Sequence, residues 1–365
     1  MKKNQIVIAG SAGVPARYGG FETLAACLCE RLGPVAPSTR FAVYCSSGLY
    51  PERSRDYFGA ELRYMPLRPT GWQSMLYDAV SMIHALMRRA DTILLLGVSG
   101  AFILPLIRLV SNVRIVTNVD GLESRRKKWG PVARWLLRAL EWCAVRFSHV
   151  VIADNEGIRE HLAATYGASG ALVIAYGGDH LAAEHAAADA PLEAPYALVL
   201  ARIEPENNIH QILEAFEDQA LQDRMTLVAI GNWDASDYGR NLRQRYGCRR
   251  GYALLDPVYD RDKVRAYRSH ARCYIHGHSA GGTNPSLVEA MFFPVPIVAY
   301  ECTFNRHTME GQGAYFADAT ALNAWLRRLA MDGGSAETSG VMKLAAERYT
   351  WSRIAAEYAR VLAAR

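Results

Sequence analysis

A glycine-rich loop near the start of the sequence has the composition of an anion-binding turn. The segment Gly10–Thr23 (GSAGVPARYGGFET) follows a strand-like apolar run and opens a helix-like run. Glycines at such a turn let backbone N–H groups approach a phosphate at a helix N-terminus. The spacing matches neither GxGxxG nor GxxxxGK[ST], which disfavours a simple dinucleotide site or P-loop. Gly19 and Gly20 are the predicted points of close ligand approach, and a tight strand-to-helix turn without a ligand is the alternative.

An arginine in the second half follows a strand directly. Arg202 lies in ARIEPENN (Ala201–Asn208), at the carboxyl end of a predicted strand. A guanidinium in that place can hold a diphosphate with two parallel hydrogen bonds. A surface ion pair with Glu204 or Glu206 is the alternative, and Asn208 could cap the next helix.

The densest segment is YIHGHSAGGTNPSLVEAM (Tyr274–Met291). It predicts a strand, a glycine loop, and a helix that Asn284 caps and Pro285 begins. The N–H groups of that loop and helix start favour a negatively charged leaving group without a metal. Glu289 could accept hydrogen bonds from two vicinal hydroxyls, or it could be an ordinary helical carboxylate.

No metal site is predicted from this segment. His276 and His278 are separated by one residue, and no carboxylate or cysteine lies at ligand spacing beside them. The sequence therefore predicts neither a zinc centre nor another metal cofactor.

Two successive strand–helix series must position these residues. Apolar runs such as Gln5–Ala9 and Thr92–Leu96 alternate with helix-like stretches, and the pattern starts again at Tyr196–Ala201. Unbroken apolar strands between helices are typical of parallel sheets covered on both faces. The alanine-rich stretch Leu181–Pro195 is the predicted linker. The pattern predicts two Rossmann-like α/β domains with parallel sheets that face each other across a ligand-binding cleft.

Composition agrees with a folded two-domain chain. The sequence has 365 residues, 50% of them hydrophobic and 21% charged, with a net charge of +5. Those values exclude a disordered protein, a collagen-like repeat and a small disulfide scaffold. The mildly basic balance suggests anionic ligands or an anionic surface, but no basic stripe indicates nucleic-acid binding. The absence of a long apolar run predicts no membrane span, and we expect a cytoplasmic protein.

The order and spacing of the motifs resemble the GT-B glycosyltransferases. The chain is most similar to the retaining glycosyltransferase family 4, and within it to a branch of bacterial rhamnosyltransferases of surface-polysaccharide assembly. The motifs that carry the resemblance are GVPARYGGFET (Gly13–Thr23), NVDGLE (Asn118–Glu123), ADNEGI (Ala153–Ile158), IAYGGD (Ile174–Asp179), ARIEPENN (Ala201–Asn208), IGNW (Ile230–Trp233), HGHSAGGTNPSLVEAM (His276–Met291) and YTWSRIA (Tyr349–Ala355).

The resemblance implies a GT-B fold in three parts. Residues 1–180 would form the acceptor-side domain, residues 181–345 the nucleotide-sugar donor domain, and residues 346–365 a terminal helix that crosses back. It implies a metal-independent hexosyltransferase that moves a sugar from a nucleotide-diphosphate donor to a glycan. The implied acceptor is linked to a polyprenyl diphosphate, in bacterial polysaccharide or lipopolysaccharide assembly.

The resemblance also implies roles for individual residues. Arg202 and Asp120 would be catalytic, with Arg202 stabilising the leaving diphosphate and Asp120 contacting acceptor or sugar. The residues implied to bind the donor are Gly19, Gly20, Arg202, Asn207, His278, Gly281, Gly282, Thr283, Asn284 and Glu289.

Two positions depart from the family pattern. The family places a glutamate where Gly281 stands and a lysine where Asn207 stands, whereas Glu289 and Arg202 match. A sugar site without that glutamate fits a donor unlike UDP-glucose, and we expect a 6-deoxyhexose such as L-rhamnose on dTDP. The departures also leave open a GT-B protein that binds a sugar nucleotide without transferring it, or a sugar-nucleotide epimerase. A phosphorylase is disfavoured, because no lysine lies between Lys263 and Lys343 to hold pyridoxal phosphate.

A basic segment with a tryptophan indicates where the acceptor binds. Such a composition suits an anionic membrane surface, and we expect peripheral contact with the inner membrane there. A solvated basic face is the alternative. The residues predicted to contact acceptor or membrane are Glu22, Arg125, Arg126, Lys127, Lys128 and Trp129.

Overall fold

The computed structural model describes residues 4–17, 19–37, 39–119, 121, 130–182, 190–193, 195–331 and 338–364. The chain divides into two compact units. Unit 1 comprises Met1–Tyr176 and Trp351–Arg365, and unit 2 comprises Gly177–Thr350. Most of the predicted linker, residues 183–189 and 194, lies outside the described residues.

Unit 1 is built on one largely parallel sheet. Its strands are β1 (Asn4–Ala9), β2 (Thr39–Ser46), β3 (Asp56–Tyr57), β4 (Ala60–Met65), β5 (Thr92–Leu96), β6 (Arg114–Val119), β7 (Val150–Ala153) and β8 (Leu172–Val173). Among the described residues they lie in the order β3-β4-β2-β1-β5-β6-β7-β8, and the pairs are parallel except for the β3–β4 hairpin. All five residues of β5 (TILLL) are buried, as a parallel strand covered on both faces requires.

Helices cover both faces of this sheet. They are α1 (Gly20–Val35), α2 (Gln73–Met87), α3 (Leu104–Val110), α4 (Pro131–Phe147) and α5 (Glu156–Tyr166). Side chains of β1 alternate between the faces: Ile6 and Ile8 belong to the core under α1, whereas Val7 and Ala9 belong to the core under α2, α3 and α4. The three helices α2, α3 and α4 therefore form one layer over the same face.

Unit 2 repeats the architecture on a smaller scale. Its strands are β9 (Tyr196–Leu200), β10 (Thr226–Ile230), β11 (Tyr252–Leu255), β12 (Cys273–His276), β13 (Ile297–Tyr300) and β14 (Ala314–Phe316). All pairs are parallel, in the order β11-β10-β9-β12-β13-β14. Its helices are α6 (Ile209–Ala215), α7 (Gln219–Gln222), α8 (Asp237–Tyr246), α9 (Arg261–Ser269), α10 (Pro285–Ala290), α11 (Thr303–Met309), α12 (Ala319–Met331) and α13 (Ser339–Arg348).

The helix α14 (Trp351–Ala363) returns the chain to unit 1. Its buried residues Trp351, Ile354 and Tyr358 belong to the same core cluster as α1. The Asn118 Nδ2 on β6 donates to the Tyr358 hydroxyl over 2.7 Å. The last helix is thus part of the core of unit 1.

The predicted pair of parallel-sheet α/β domains is confirmed. Several boundaries differ from those that the sequence predicts. A helix predicted over Ser286–Phe293 is α10, which ends at Ala290. Within the terminal segment 346–365, a helix predicted from about Arg353 is α14, which begins at Trp351. The strand β4 was not predicted, because its sequence AELRYM carries charges at two of six positions. Within the described residues, no helix combines the length and apolarity that crossing a bilayer would require.

Candidate functional site

The site predicted in unit 2 lies where its strand order reverses. The first strand, β9, is flanked by β10 on one side and by β12 on the other, with Leu198 paired to Tyr274. Ligands of open α/β sheets bind outside the carboxyl ends of the strands at such a reversal. Arg202 follows β9 and His278 follows β12, so the fold brings two of the predicted segments to this place.

Arg202 is exposed and only loosely paired. Its side chain is 42% exposed, and its Nη1 lies 3.7 Å from Glu204 Oε1. The ion pair anticipated as the alternative is therefore present. An exposed pair of this kind is worth about 0–1 kcal/mol, which a diphosphate could readily displace.

Asn207 is buried and holds His278. Its Nδ2 donates to the Arg202 carbonyl oxygen over 2.7 Å, and its Oδ1 accepts from His278 Nδ1 over 2.7 Å. Both ends of the amide are thus engaged within the protein. The neighbouring Asn208 stands at the N-cap position of α6, but its side chain bonds the Gly277 carbonyl oxygen and no helical N–H. The predicted side-chain cap by Asn208 is therefore wrong.

His276 is buried beside His278, with 6.2 Å between ring centroids. Its Nε2 is buried and has no hydrogen-bond partner in the described part of the chain. Burial, together with His278 and Arg268, lowers the pKa of His276 well below its ordinary value, so the ring is neutral at pH 7. The same part of the chain contains no group of three or more histidine, cysteine or acidic side chains placed to hold a metal.

The loop before α10 has the predicted local structure. Gly281 has φ of +96°, and Gly281, Gly282 and Thr283 are all buried. Asn284 caps α10 by accepting from the Ser286 N–H over 2.9 Å, and Pro285 is the first helical residue. The cap prediction is confirmed. The helix has only six residues.

Glu289 makes an ion pair that the sequence did not predict. Its Oε2 lies 2.7 Å from Arg268 Nη2, and its Oε1 lies 3.5 Å from His180 Nε2. Burial raises the pKa of Glu289, and the Arg268 charge opposes that rise. The interpretation of Glu289 as an ordinary helical carboxylate does not fit, because only 15% of its side chain is exposed.

Arg268 joins Glu289 to the start of α10. Its Nη1 donates to the Ser286 carbonyl oxygen and its Nη2 to Ser286 Oγ, each over 3.1 Å. The guanidinium also lies over the Tyr274 ring, 5.2 Å from the centroid. No local signal marks Arg268, since it is one of several arginines on α9 and meets Glu289 only through the fold.

The IAYGGD motif lies against the same helix. A Cβ on Gly178 would stand 2.8 Å from the backbone nitrogen of Glu289, so only glycine allows the approach. The Gly178 N–H donates to the Tyr349 carbonyl oxygen over 2.9 Å. The motif therefore supports α10 through its backbone and brings His180 to Glu289.

The glycine-rich loop of unit 1 follows the central strand β1. Its Glu22 carboxylate accepts from the Ala12 N–H over 2.9 Å, which closes the loop. Gly19 has φ of +131°, and a Cβ there would collide with the Glu22 carboxylate. Burial raises the pKa of Glu22, while the Ala12 N–H lowers it. Gly20 begins α1. Glu22 thus holds the loop shape in this structure.

Asp78 is a further buried acid at this sheet that sequence reasoning missed. Asp78 lies on α2 and is 4% exposed. A Cβ added to Gly100 would stand 2.6 Å from the Cβ of Asp78, so the two residues are in close contact. Gly100 belongs to the loop after β5, next to β1 in the sheet. Burial raises the pKa of Asp78 to about 8. The sequence of α2 predicts an ordinary amphipathic helix, and no motif distinguishes Asp78 within it.

The other predicted residues of unit 1 lie outside the described part of the chain. They are Asp120, Arg125, Arg126, Lys127, Lys128 and Trp129. Their roles stay predictions.

Both halves of the chain are similar to known protein families or structures. Residues 182–331 match the family model of glycosyl transferases group 1, and residues 3–179 match a domain of unknown function (DUF1972). No curated protein matches the chain significantly. Sucrose-phosphate synthase from Thermosynechococcus elongatus is a similar solved structure, with a TM-score of 0.79 and 16% identity over 98% of both chains.

Two further similar structures contain a bound nucleotide or nucleotide sugar. HepE from Anabaena in complex with UDP-glucose has a TM-score of 0.71 and 16% identity over 98% of this chain and 99% of that one. The catalytic domain of starch synthase IV from Arabidopsis thaliana, bound to ADP and acarbose, has a TM-score of 0.70 and 14% identity over 99% of both.

Proposed function

We propose that this chain, whose residues 182–331 match the model of glycosyl transferases group 1, is a glycosyltransferase that moves a 6-deoxyhexose from a dTDP-linked donor to a glycan. The observation that carries the proposal is in unit 2. An exposed guanidinium, Arg202, follows β9, and the buried loop Gly281–Thr283 follows the neighbouring strand β12.

Each of these residues has a share in a retaining transfer. Arg202 stabilises the diphosphate as it leaves, and the N–H groups of the loop receive its negative charge. Glu289, with one oxygen on Arg268, keeps a second oxygen toward His180 for the ribose hydroxyls. Asn207 fixes the ring of His278 beside the sugar. The protein thus positions the reactants and supplies charge, and no step requires a metal.

The choice of donor follows from Gly281. A carboxylate at that position would bind sugar hydroxyls, and glycine offers only its backbone N–H. A 6-deoxyhexose lacks one hydroxyl of glucose and tolerates this loss. The related HepE structure contains UDP-glucose, which makes UDP-glucose the competing donor to test.

The proposed acceptor is a polyprenyl-diphosphate-linked glycan at the cytoplasmic face of the membrane, in polysaccharide or lipopolysaccharide assembly. The experiment is a panel of nucleotide sugars offered to the full chain, with and without added divalent cation and chelator. We expect turnover with dTDP-rhamnose to exceed that with UDP-glucose and to survive chelation. A preference for UDP-glucose would overturn the donor assignment.

Binding without transfer is a second candidate, and Asn207 favours it. The residue that replaces the usual lysine is committed to Arg202 and His278, so it adds no positive charge for the diphosphate. The same panel separates the two candidates. Saturable binding with neither hydrolysis nor transfer for any sugar nucleotide would support the binding protein.

A further inference from the structure

The helical layer over one face of the unit 1 sheet presents apolar side chains to solvent. On α2, Leu76, Val80 and Ile83 are each at least 40% exposed, at the spacing of one helix face. The opposite face of α2, with Tyr77 and Met82, belongs to the core. The helix is therefore apolar on both its inner and its outer face.

The same holds for the neighbouring helices. Leu109 on α3 is 83% exposed, and Trp135 on α4 is 70% exposed. We call the exposed apolar residues of this layer the outer apolar face: Trp72, Leu76, Val80, Ile83, Met87, Phe102, Leu106, Leu109, Val110, Val132, Trp135, Leu136 and Trp142. Most of the large apolar side chains that are exposed in the described chain belong to this set, and such a concentration is typical of an interaction surface.

The charges on this layer have one sign. The acids of α2 and α4 in the described structure, Asp78 and Glu141, are 4% and 1% exposed. The arginines of α3 and α4 are exposed; they are Arg108, Arg134, Arg138 and Arg146. The surface is thus apolar and cationic, without an exposed carboxylate on these three helices.

We propose that the outer apolar face binds an anionic lipid bilayer. Tryptophan is favoured at the boundary between headgroups and acyl chains, and arginines attract anionic headgroups. A second copy of the chain fits less well, because a symmetric contact would set arginine against arginine. The proposal rests on the part of the proposed function that places the acceptor at a membrane, and it assigns that contact to α2, α3 and α4.

The test is sedimentation of the full chain with vesicles. One set contains phosphatidylglycerol and phosphatidylethanolamine, and the other contains phosphatidylcholine alone. We expect at least tenfold tighter binding to the anionic set, weakening with added salt. The triple variant W72S/L109S/W135S should lose about tenfold or more in binding, because each side chain would bury most of its apolar area.

Matched controls come from exposed apolar residues elsewhere. Phe58 is 65% exposed and Met331 is 56% exposed, and neither belongs to the layer. The variant F58S/M331S should bind vesicles like the unmodified chain. All these side chains are exposed, so every variant should keep its thermal unfolding midpoint, which identifies any failure to fold.

Two results would overturn the proposal. One is equal vesicle binding by W72S/L109S/W135S and the unmodified chain. The other is a dimer in solution that this variant dissociates while vesicle binding is absent. Sugar transfer to a soluble acceptor is a separate readout that the triple variant should leave unchanged. If the chain binds vesicles through the outer apolar face but transfers no sugar, the membrane-binding proposal is supported and the proposed function is contradicted.

Discussion

Arg268 on α9 and Glu289 on α10 form an ion pair with 2.7 Å between Nη2 and Oε2, and only 1% of the Arg268 side chain is exposed. The pair connects the helix after the glycine loop to the rest of unit 2. Because Arg268 also bonds Ser286, its guanidinium links the Glu289 carboxylate to the first turn of α10.

Replacing Arg268 by methionine should destabilise unit 2. The change leaves the Glu289 carboxylate mostly buried without its cation, and breaking a buried pair in this way costs about 3–5 kcal/mol. Chemical unfolding measures the loss. The control is Arg265→Met on the same helix, whose ion-pair partner Asp262 is 78% exposed, so that this pair is worth about 1 kcal/mol or less. Equal losses in the two variants would contradict the buried-pair interpretation.

Replacing Arg202 by alanine should strongly lower turnover and leave stability almost unchanged. Its ion pair with Glu204 is exposed, so Arg202→Ala should change the free energy of unfolding by less than about 1 kcal/mol. The variant lacks the positive charge that would stabilise the departing diphosphate. Its kcat should therefore fall at least a hundredfold, as when other hydrogen-bond donors to a transition state are removed. Steady-state kinetics with the preferred donor measure this, with Glu204→Gln as the control that keeps its activity. Near-normal turnover in Arg202→Ala would remove the residue from the mechanism.

Adding one methyl group at Gly19 should disrupt the loop of unit 1. A Cβ there collides with the Glu22 carboxylate, and φ of +131° disfavours any residue but glycine. Gly19→Ala should therefore release Ala12 from Glu22 and lower both stability and activity. Gly33→Ala, in the helix α1 that follows Gly19, has nothing within 4 Å of the added Cβ; it is the control and should be neutral or slightly stabilising. Wild-type behaviour of both variants would argue against a fixed loop.

Asp78 should make stability depend on pH. Burial raises its pKa from 3.8 to about 8, so the folded state favours the protonated acid. The stability that this protonation contributes is fully present below about pH 4 and is lost as the pH rises through about 8. Asp78→Asn has no titrating group at this position. Its free energy of unfolding, relative to that of the unmodified chain, should therefore increase as the pH rises from about 4 to about 8. Denaturant titrations at pH 5 and pH 9 test this, and a constant difference would contradict it.

Local patterns predicted the sheets well. The strand Thr92–Leu96 has the predicted bounds, because a buried apolar run is a signal within a few residues. The cap of α10 by Asn284 was predictable for the same reason. The two-domain organisation followed from the repetition of such signals along the chain.

Contacts between distant residues were not predictable. Arg268 and Glu289 are 21 residues apart, and only the packing of α9 and α10 brings them together. Asn207 bonds His278, 71 residues away, and no local signal indicated this partner; the donor contact that the resemblance implied for Asn207 stays a prediction. Side chains that act through tertiary contacts carry no periodicity or spacing of their own.

The return of the chain to unit 1 at Trp351 affects the order in which the protein folds during synthesis. Domains fold as units while the polypeptide leaves the ribosome, usually from the N-terminus onward. Here the whole of Gly177–Thr350 is synthesised before α14, the helix that completes the core around α1. Unit 2 can therefore finish folding first. The core of unit 1 is completed only when α14 is synthesised, about 170 residues after Tyr176.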